Sequence, residues 1–203
     1  MSKLNQHYKF PELEAGCDEA GRGCLAGPVF ASAVIFPKGT LIPEINDSKK
    51  LSEKMRNKLA EEIKKQALCY SIFQVENEKI DQINILRASV LAMQCAVKEL
   101  SIKPKFLIID GNRFEKFQNI PFETIIKGDS KYQSIAAASI LAKTARDDYM
   151  IKIHEEFPYY KWNKNKGYPS LEHKLAIKQN GLSKYHRKSF NSSLTPKQLR
   201  LFD

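Results

Sequence analysis

The sequence predicts an α/β protein, a mixed central β-sheet flanked by helices with a small helical lobe at the C-terminal end. Three observations carry this prediction. Short apolar, β-branched runs alternate with longer segments of helical periodicity, the pattern of a sheet covered by helices. The first two runs are joined by a bend too short for a parallel crossover, so the sheet is expected to be mixed. From Ser170 onward the strand pattern stops and the chain reads as helical and basic.

Taken in order, Leu13 to Cys17 reads as a short strand running into a glycine-rich bend at Gly21 and Gly23. Residues 27–37, GPVFASAVIFP, read as a buried strand that stops at a proline. A charged helix is expected from Ser52 to about Gln66, with Ser52 as N-cap and Glu53 in the first turn. Tyr70 to Val75 alternates polar and apolar residues and reads as another strand. Next, Ile83, Leu86, Val90, Met93, Val97 and Leu100 recur at alternating spacings of three and four, one apolar stripe on one helix. Phe106 to Ile109 and Phe122 to Ile126 are short strands, the first running into Asp110-Gly111 and the second into Lys127-Gly128-Asp129. An alanine-rich helix is expected from near Ser134 to about Glu156, where Pro158 stops it. The last helix covers about Leu171 to Gln179, and the basic stretch YHRKSF follows.

With 203 residues, 42% of them hydrophobic, the chain can bury the core of one domain with a small appendage, which excludes global disorder. Lys and Arg number 33 against 23 Asp and Glu, a formal charge of +10. This balance favours a polyanionic partner, since cations gain affinity by releasing counterions condensed on phosphates; a basic surface serving only solubility is the alternative reading. Cys17, Cys24, Cys69 and Cys95 form no C-x-x-C pair, which argues against zinc and against a disulfide framework. They are expected to be reduced, mostly buried thiols in a cytoplasmic protein. The opening MSKLNQHYKF lacks the apolar stretch of a signal peptide, and no apolar run approaches a membrane span.

Carboxylates recur at the predicted strand ends: Asp18 and Glu19 after the first, Asp110 after the fourth, Asp129 after the fifth. A carboxylate at a sheet edge must be solvated, hydrogen-bonded or bound to a cation. The carboxyl ends of parallel strands are where ligands gather in α/β sheets. Four oxygen donors with no His or Cys cluster suit hard divalent ions such as Mg²⁺ or Mn²⁺. In a basic chain the arrangement fits phosphodiester hydrolysis, with two ions roughly 3.5–4 Å apart. Asp110 or Asp129 alone reads first as a turn-forming or capping residue; the set of four favours a nuclease.

Residues 16–28, GCDEAGRGCLAGP, resemble the signature of the type 2 ribonucleases H. Further similar blocks follow in order: NDSKKLS at 46–52, IDQINI at 80–85, LIIDG ending at Gly111, KGDSKYQSIAAASILAKTARD at 127–147 and GYPSLEH at 167–173. The resemblance runs from about residue 13 to about residue 190, and an ordered series of this kind is far more specific than a lone D-E-A-G. It implies the ribonuclease H-like fold, a mixed five-stranded sheet with helices around it. Arg22, and the dozen residues before the first strand, point to the bacterial HII class over the HIII class. Ser170, where the family often has Thr, keeps the hydroxyl.

The resemblance implies Asp18, Glu19, Asp110 and Asp129 as ligands of Mg²⁺ or Mn²⁺, two ions being present in the substrate complex. The implied activity is endonucleolytic cleavage of the RNA strand of RNA–DNA hybrids and nicking 5′ of single ribonucleotides in duplex DNA, leaving 3′-hydroxyl and 5′-phosphate ends. Gly21, Arg22 and Gly23 would lie against the ribonucleotide, their backbone hydrogen-bonding the 2′-hydroxyl that separates RNA from DNA. Tyr168 matches the tyrosine that stacks on the sugar following the ribonucleotide. Lys49, Lys50, Lys143, Arg146, Arg187 and Lys188 are candidates for phosphate contacts, each equally readable as a solvated surface charge. His173 and His186 are read as structural. A junction resolvase of the same fold is disfavoured by the bend and Tyr168, and a non-catalytic hybrid binder by four carboxylates facing phosphate.

A catalytic domain is expected over residues 1–169 and a helical, basic extension packed on it over 170–203, with a tail over 196–203 free to extend. In that tail Gln198, Leu199, Leu201 and Phe202 are similar to the Q-L-x-L-F peptide by which bacterial replication and repair proteins dock on the sliding clamp. The competing reading is that these apolar residues fold back and cap the core. A monomer is expected.

Overall fold

The computed structural model describes residues 4–45 and 51–190. Five strands, β1 (Glu14–Ala20), β2 (Val29–Ile35), β3 (Cys69–Val75), β4 (Phe106–Asp110) and β5 (Phe122–Ile125), form one sheet in the order β3-β2-β1-β4-β5. The tight bend after β1 forces β2 to return antiparallel, and β3 continues antiparallel beside it. β4 and β5 arrive through longer connections and lie parallel to β1 and to each other. The sheet is mixed, as expected.

The pleat sends successive side chains to opposite faces, and each face has its own helical cover. Val29, Ala31, Ala33 and Ile35 of β2 pack with Ala88, Ala92, Met93, Ala96 and Val97 of α3 (Ile85–Lys98). Val34 packs on the other face against α1 (Glu53–Gln66) and α4 (Gln133–His154), through Leu59, Ile63, Ala136, Ala137 and Ile140. The small side chains of α4 let it approach closely: a Cβ on Gly16 of β1 would collide with the backbone of Ser134 and Ile135. Ser52 caps α1 as expected, its hydroxyl accepting from the Met55 N–H at 3.3 Å.

Two expectations need correction. The first strand runs three residues further than predicted, to Ala20, so Asp18 and Glu19 lie within β1. The predicted single helix is two, α2 (Asn77–Ile83) and α3, separated by Asn84 at φ 66°. The Asn84 side chain accepts from the Arg87 N–H at 3.1 Å and restarts the helix. Ile83 therefore belongs to α2, Leu86 is exposed, and the sheet-facing stripe is the more closely packing alanine-rich one.

The end of α4, the short α5 (Trp162–Asn165) and α6 (Leu171–Asn180) enclose a satellite core of Ala26, Met150, Ile153, Tyr160, Trp162 and Ala176. Ser170 caps α6 by accepting from the His173 N–H at 3.2 Å. Cys17, Cys24 and Cys69 are buried free thiols and Cys95 is partly buried. Among the described residues no helix is long and apolar enough to cross a membrane.

Candidate active site

Because β1, β4 and β5 are parallel, their carboxyl ends lie on one edge of the sheet. The β1–β4 pairing ends at Cys17↔Ile109, and the next residues on those strands are Asp18 and Asp110. Topology alone thus sets two carboxylates side by side. Glu19, one residue on, points to the opposite face. Asp18 is buried, and its Oδ1 accepts from the Glu19 N–H at 2.7 Å. Glu19 Oε1 accepts from Arg22 Nη1 at 3.1 Å, and Asp110 Oδ1 from the Gly128 N–H at 2.7 Å. Asp129 lies buried in the single 3-10 turn Gly128–Ser130 that follows β5.

Burial pushes the Asp18 carboxyl well above the usual carboxylate range, and the neighbouring charges of Glu19 and Asp110 push it further. Hydrogen bonds from Ser139 and from the Glu19 amide oppose this shift. Crowding of like charges at one strand edge is what a divalent cation relieves, and the donors are all oxygen. Among the described residues no three such side chains converge as a ready-made metal cage; local hydrogen bonds hold Asp18, Glu19 and Asp110 instead. The donor chemistry fits a hard cation.

Asp18, Glu19 and Asp110 line an open cleft of about 390 Å³, together with the bend at Gly21, Arg22 and Gly23, Ser139, Lys143 and Tyr168. Gly21 has φ 97°, and any Cβ there would strike the Arg146 side chain. Tyr168 is 41% exposed across the cleft. Lys143 Nζ stands 5.4 Å from the Tyr168 ring centroid and 2.7 Å from Asp147 Oδ1. The cleft therefore joins an acidic edge, a tight backbone bend, an aromatic ring and a lysine held in place by a carboxylate.

The sequence model of the ribonuclease HII family matches residues 15–193. A curated ribonuclease HII of Bacteroides thetaiotaomicron is 61% identical over 179 residues, covering 88% of this chain and 90% of that one. The chain belongs to the ribonuclease HII family. It is therefore a ribonuclease H, an endoribonuclease acting on RNA–DNA hybrids. The ribonuclease H2 of Pyrococcus horikoshii superposes with a TM-score of 0.77 at 22% identity, over 94% of this chain and 99% of that one. A ribonuclease HII of Archaeoglobus fulgidus, solved in complex with PCNA, superposes at 0.71 with 25% identity, over 90% and 94%.

Within this ribonuclease HII, two of the expected phosphate contacts are not at the surface. Arg146 is 0% exposed and donates to the carbonyls of Ala26, Pro28 and Lys166. Arg187 is 1% exposed and is likewise spent on backbone carbonyls. Burial is tolerable because each guanidinium is fully engaged, and it removes both from direct phosphate contact. Lys143 lines the cleft, and Lys188 is exposed near its edge-on partner Asp81, which accepts from the Lys188 N–H. Lys49 and Lys50 lie outside the described residues, as do Gln198, Leu199, Leu201 and Phe202. Sequence reasoning missed Asp147, which sits one turn beyond Lys143 on α4 and binds both Lys143 and Arg56 of α1 at 2.7 Å. An i, i+4 Lys–Asp pair was its signal.

Proposed function

We propose that this ribonuclease HII also nicks 5′ of single ribonucleotides embedded in duplex DNA, by two-metal hydrolysis with Mg²⁺ or Mn²⁺. The supporting observation is that three carboxylates and the glycine–arginine bend line one cleft. Asp18, Glu19 and Asp110 would hold the ions, and Asp129 would complete the second site. Bound divalent ions supply an activated water and stabilise the leaving oxygen. The bend supplies backbone polar groups to the 2′-hydroxyl, and its glycines permit the close approach this needs. Tyr168 offers a flat face to the neighbouring sugar, and Lys143, oriented by Asp147, offers charge to a phosphate. Lys188, and from the sequence Lys49 and Lys50, would add positive charge for further phosphates. The buried free thiols suit a reducing cytoplasm.

A labelled duplex carrying one ribonucleotide, incubated with protein and Mg²⁺ or Mn²⁺, should be nicked at that position, while an all-DNA control stays intact. Equal cutting of both duplexes, or cutting that persists in EDTA, overturns this reading. A sliding clamp is the proposed partner of the tail. The Archaeoglobus relative was solved with PCNA, and Gln198 to Phe202 match the docking peptide. Tethering would raise the local concentration of the enzyme on newly made DNA.

A further inference from the structure

Residues 185–187 run antiparallel beside residues 25–27. The Gly27 N–H donates to the Tyr185 carbonyl at 2.8 Å, the Arg187 N–H to the Leu25 carbonyl at 2.9 Å, and Ala26 bridges His186. In such extended backbone neighbouring side chains leave on opposite sides. His186 and Arg187 accordingly reach two different parts of the cleft wall. We infer that this adjacent pair is a positioning element with two arms, Arg187 setting the ribose-facing bend and His186, through His173, setting Tyr168. The inference rests on the ribonucleotide reading given above and names residues that act through others.

The Arg187 arm follows from peptide geometry. Its Nη2 donates to the Gly21 carbonyl at 2.8 Å, Nη1 to the Arg22 carbonyl at 2.9 Å and Nε to the Gly27 carbonyl at 2.9 Å. In a trans peptide the C=O and the following N–H point in opposite directions. Pulling the Gly21 and Arg22 carbonyls onto the guanidinium therefore turns the Arg22 and Gly23 N–H groups away from it, on the residues that line the cleft. Burial lowers the Arg187 guanidinium to about 10, which leaves it charged at neutral pH. A lysine carries the charge on a single nitrogen, without the planar fork whose three separate nitrogens each reach one of these carbonyls. Arg146 also packs against Gly21 and stands 5.8 Å from the Tyr168 ring centroid, so two buried cations hold the bend.

The His186 arm is a directed chain. The Ser183 N–H can only donate, and it meets His186 Nδ1 at 3.0 Å, so the neutral ring carries its proton on Nε2. That proton points at His173 Nε2, 3.2 Å away, which also accepts from Trp162 Nε1 at 3.0 Å. His173 must then be protonated on Nδ1, which donates to the Tyr168 carbonyl at 2.9 Å. This set of tautomers gives every contact a donor and an acceptor, with the one lone pair of His173 Nε2 shared between Trp162 and His186, and both rings are buried. The chain fixes the Tyr168 backbone from a segment 18 residues away in sequence. No group in it faces the carboxylates, so its effect is on the position of the aromatic ring.

The test compares kcat/KM on a duplex with one ribonucleotide and on a long RNA–DNA hybrid, alongside Mn²⁺ binding by calorimetry and Tm. Arg187→Ala should lose at least about tenfold more activity on the lone ribonucleotide than on the hybrid, because a single junction tolerates less misplacement. Mn²⁺ affinity should stay at the wild-type value. Added guanidinium should restore the ratio in Arg187→Ala. Arg187→Lys should remain impaired, and it carries the test if the alanine variant fails to fold. His173→Leu should show the same selective loss, whereas His173→Asn, which keeps a donor toward the Tyr168 carbonyl, should recover most of it. Equal losses on both substrates, or selectivity unchanged in Arg187→Lys and His173→Leu, overturns the inference while leaving the ribonucleotide reading intact. Absence of any nick by the wild-type protein at a lone ribonucleotide overturns that reading, and this inference with it.

Discussion

The two walls of the cleft are built by different means. Asp18, Glu19 and Asp110 stand where they do because two neighbouring strands are parallel and in register, and short-range hydrogen bonds to the Glu19 amide, Arg22 and the Gly128 amide trim their orientation, with Ser139 of α4 as a distant partner of Asp18. The bend and Tyr168 are held by buried side chains from α4, α6 and the segment after α6, with partners up to 166 residues apart. The acidic wall is thus largely a consequence of sheet topology, whereas the opposite wall depends on a buried polar network drawn from residues distant in sequence. Chemistry and substrate selection should therefore fail separately.

The largest expected effect breaks the acidic wall alone. Asp18→Asn and Asp110→Asn should each lower turnover by more than about 100-fold, since even the outer partners of metal ligands cost 10–100-fold. Hybrid binding without metal should be unchanged or tighter, because each change removes a negative charge facing phosphate. Asp18→Asn should also melt at or above the wild-type temperature, since it removes a charge that burial and two carboxylates disfavour. Wild-type rates in either variant would reduce these residues to turn formers.

A smaller effect sharpens the other wall. Tyr168→Ala should cost about tenfold more on a lone ribonucleotide than on a long hybrid, which offers many registers for productive binding. Kinetics on the two substrates decide this. Losses equal on both would assign the half-exposed ring to folding instead.

The sequence discloses these walls unequally, for the same reason. Strand ends, the Ser52 cap, the β2 core pattern and the alanine-rich α4 are local features, and the residues near them reveal them. β1 was underestimated because Asp18 and Glu19 interrupt its apolar pattern, as functional residues do in a central strand. The break at Asn84 is invisible to spacing, since a single left-handed residue leaves the three-and-four rhythm of Ile83 and Leu86 unchanged. Arg146 and Arg187 look like surface cations because all but one of the carbonyls that accept hydrogen bonds from them lie more than a hundred residues away in sequence. His173 and His186 were legible as structural, yet nothing local pairs them.

That buried network also has a pH signature. Burial lowers the pKa of both histidines, His186 to about 3, against about 6.5 in an unfolded chain. Their contribution is complete above about pH 6.5 and is lost as the pH falls, because the unfolded chain then binds protons that the native rings refuse. For His186 the slope approaches about 1.4 kcal/mol per pH unit between the unfolded value and about pH 3. Asp18 is shifted the other way and gains stability as the pH falls, so the difference between variants is the quantity to measure. His186→Gln keeps a donor toward His173 but cannot titrate, so chemical denaturation from pH 7 to pH 5 should show a shallower loss than wild type. Parallel curves would mean that the His186 ring does not resist protonation in the folded protein.

The smallest effect on the cleft is expected from deleting the tail. Gln198 to Asp203 lie outside the described residues. An apolar tip carrying Leu201 and Phe202, with the Gln198 amide ahead of it, suits an extended peptide entering a hydrophobic pocket on a partner. Deleting these six residues should abolish binding to a bacterial sliding clamp by the full-length protein. Cutting of a short duplex should be unchanged, because tethering acts only where a clamp is loaded. Stability should stay within about 0.5 kcal/mol of wild type, the usual range for changes away from the core. The alternative, that Leu199, Leu201 and Phe202 cap the body, makes the opposite demand: a lower Tm on deletion, and no clamp affinity to lose. Surface plasmon resonance against the clamp, with melting curves of both forms, separates the two.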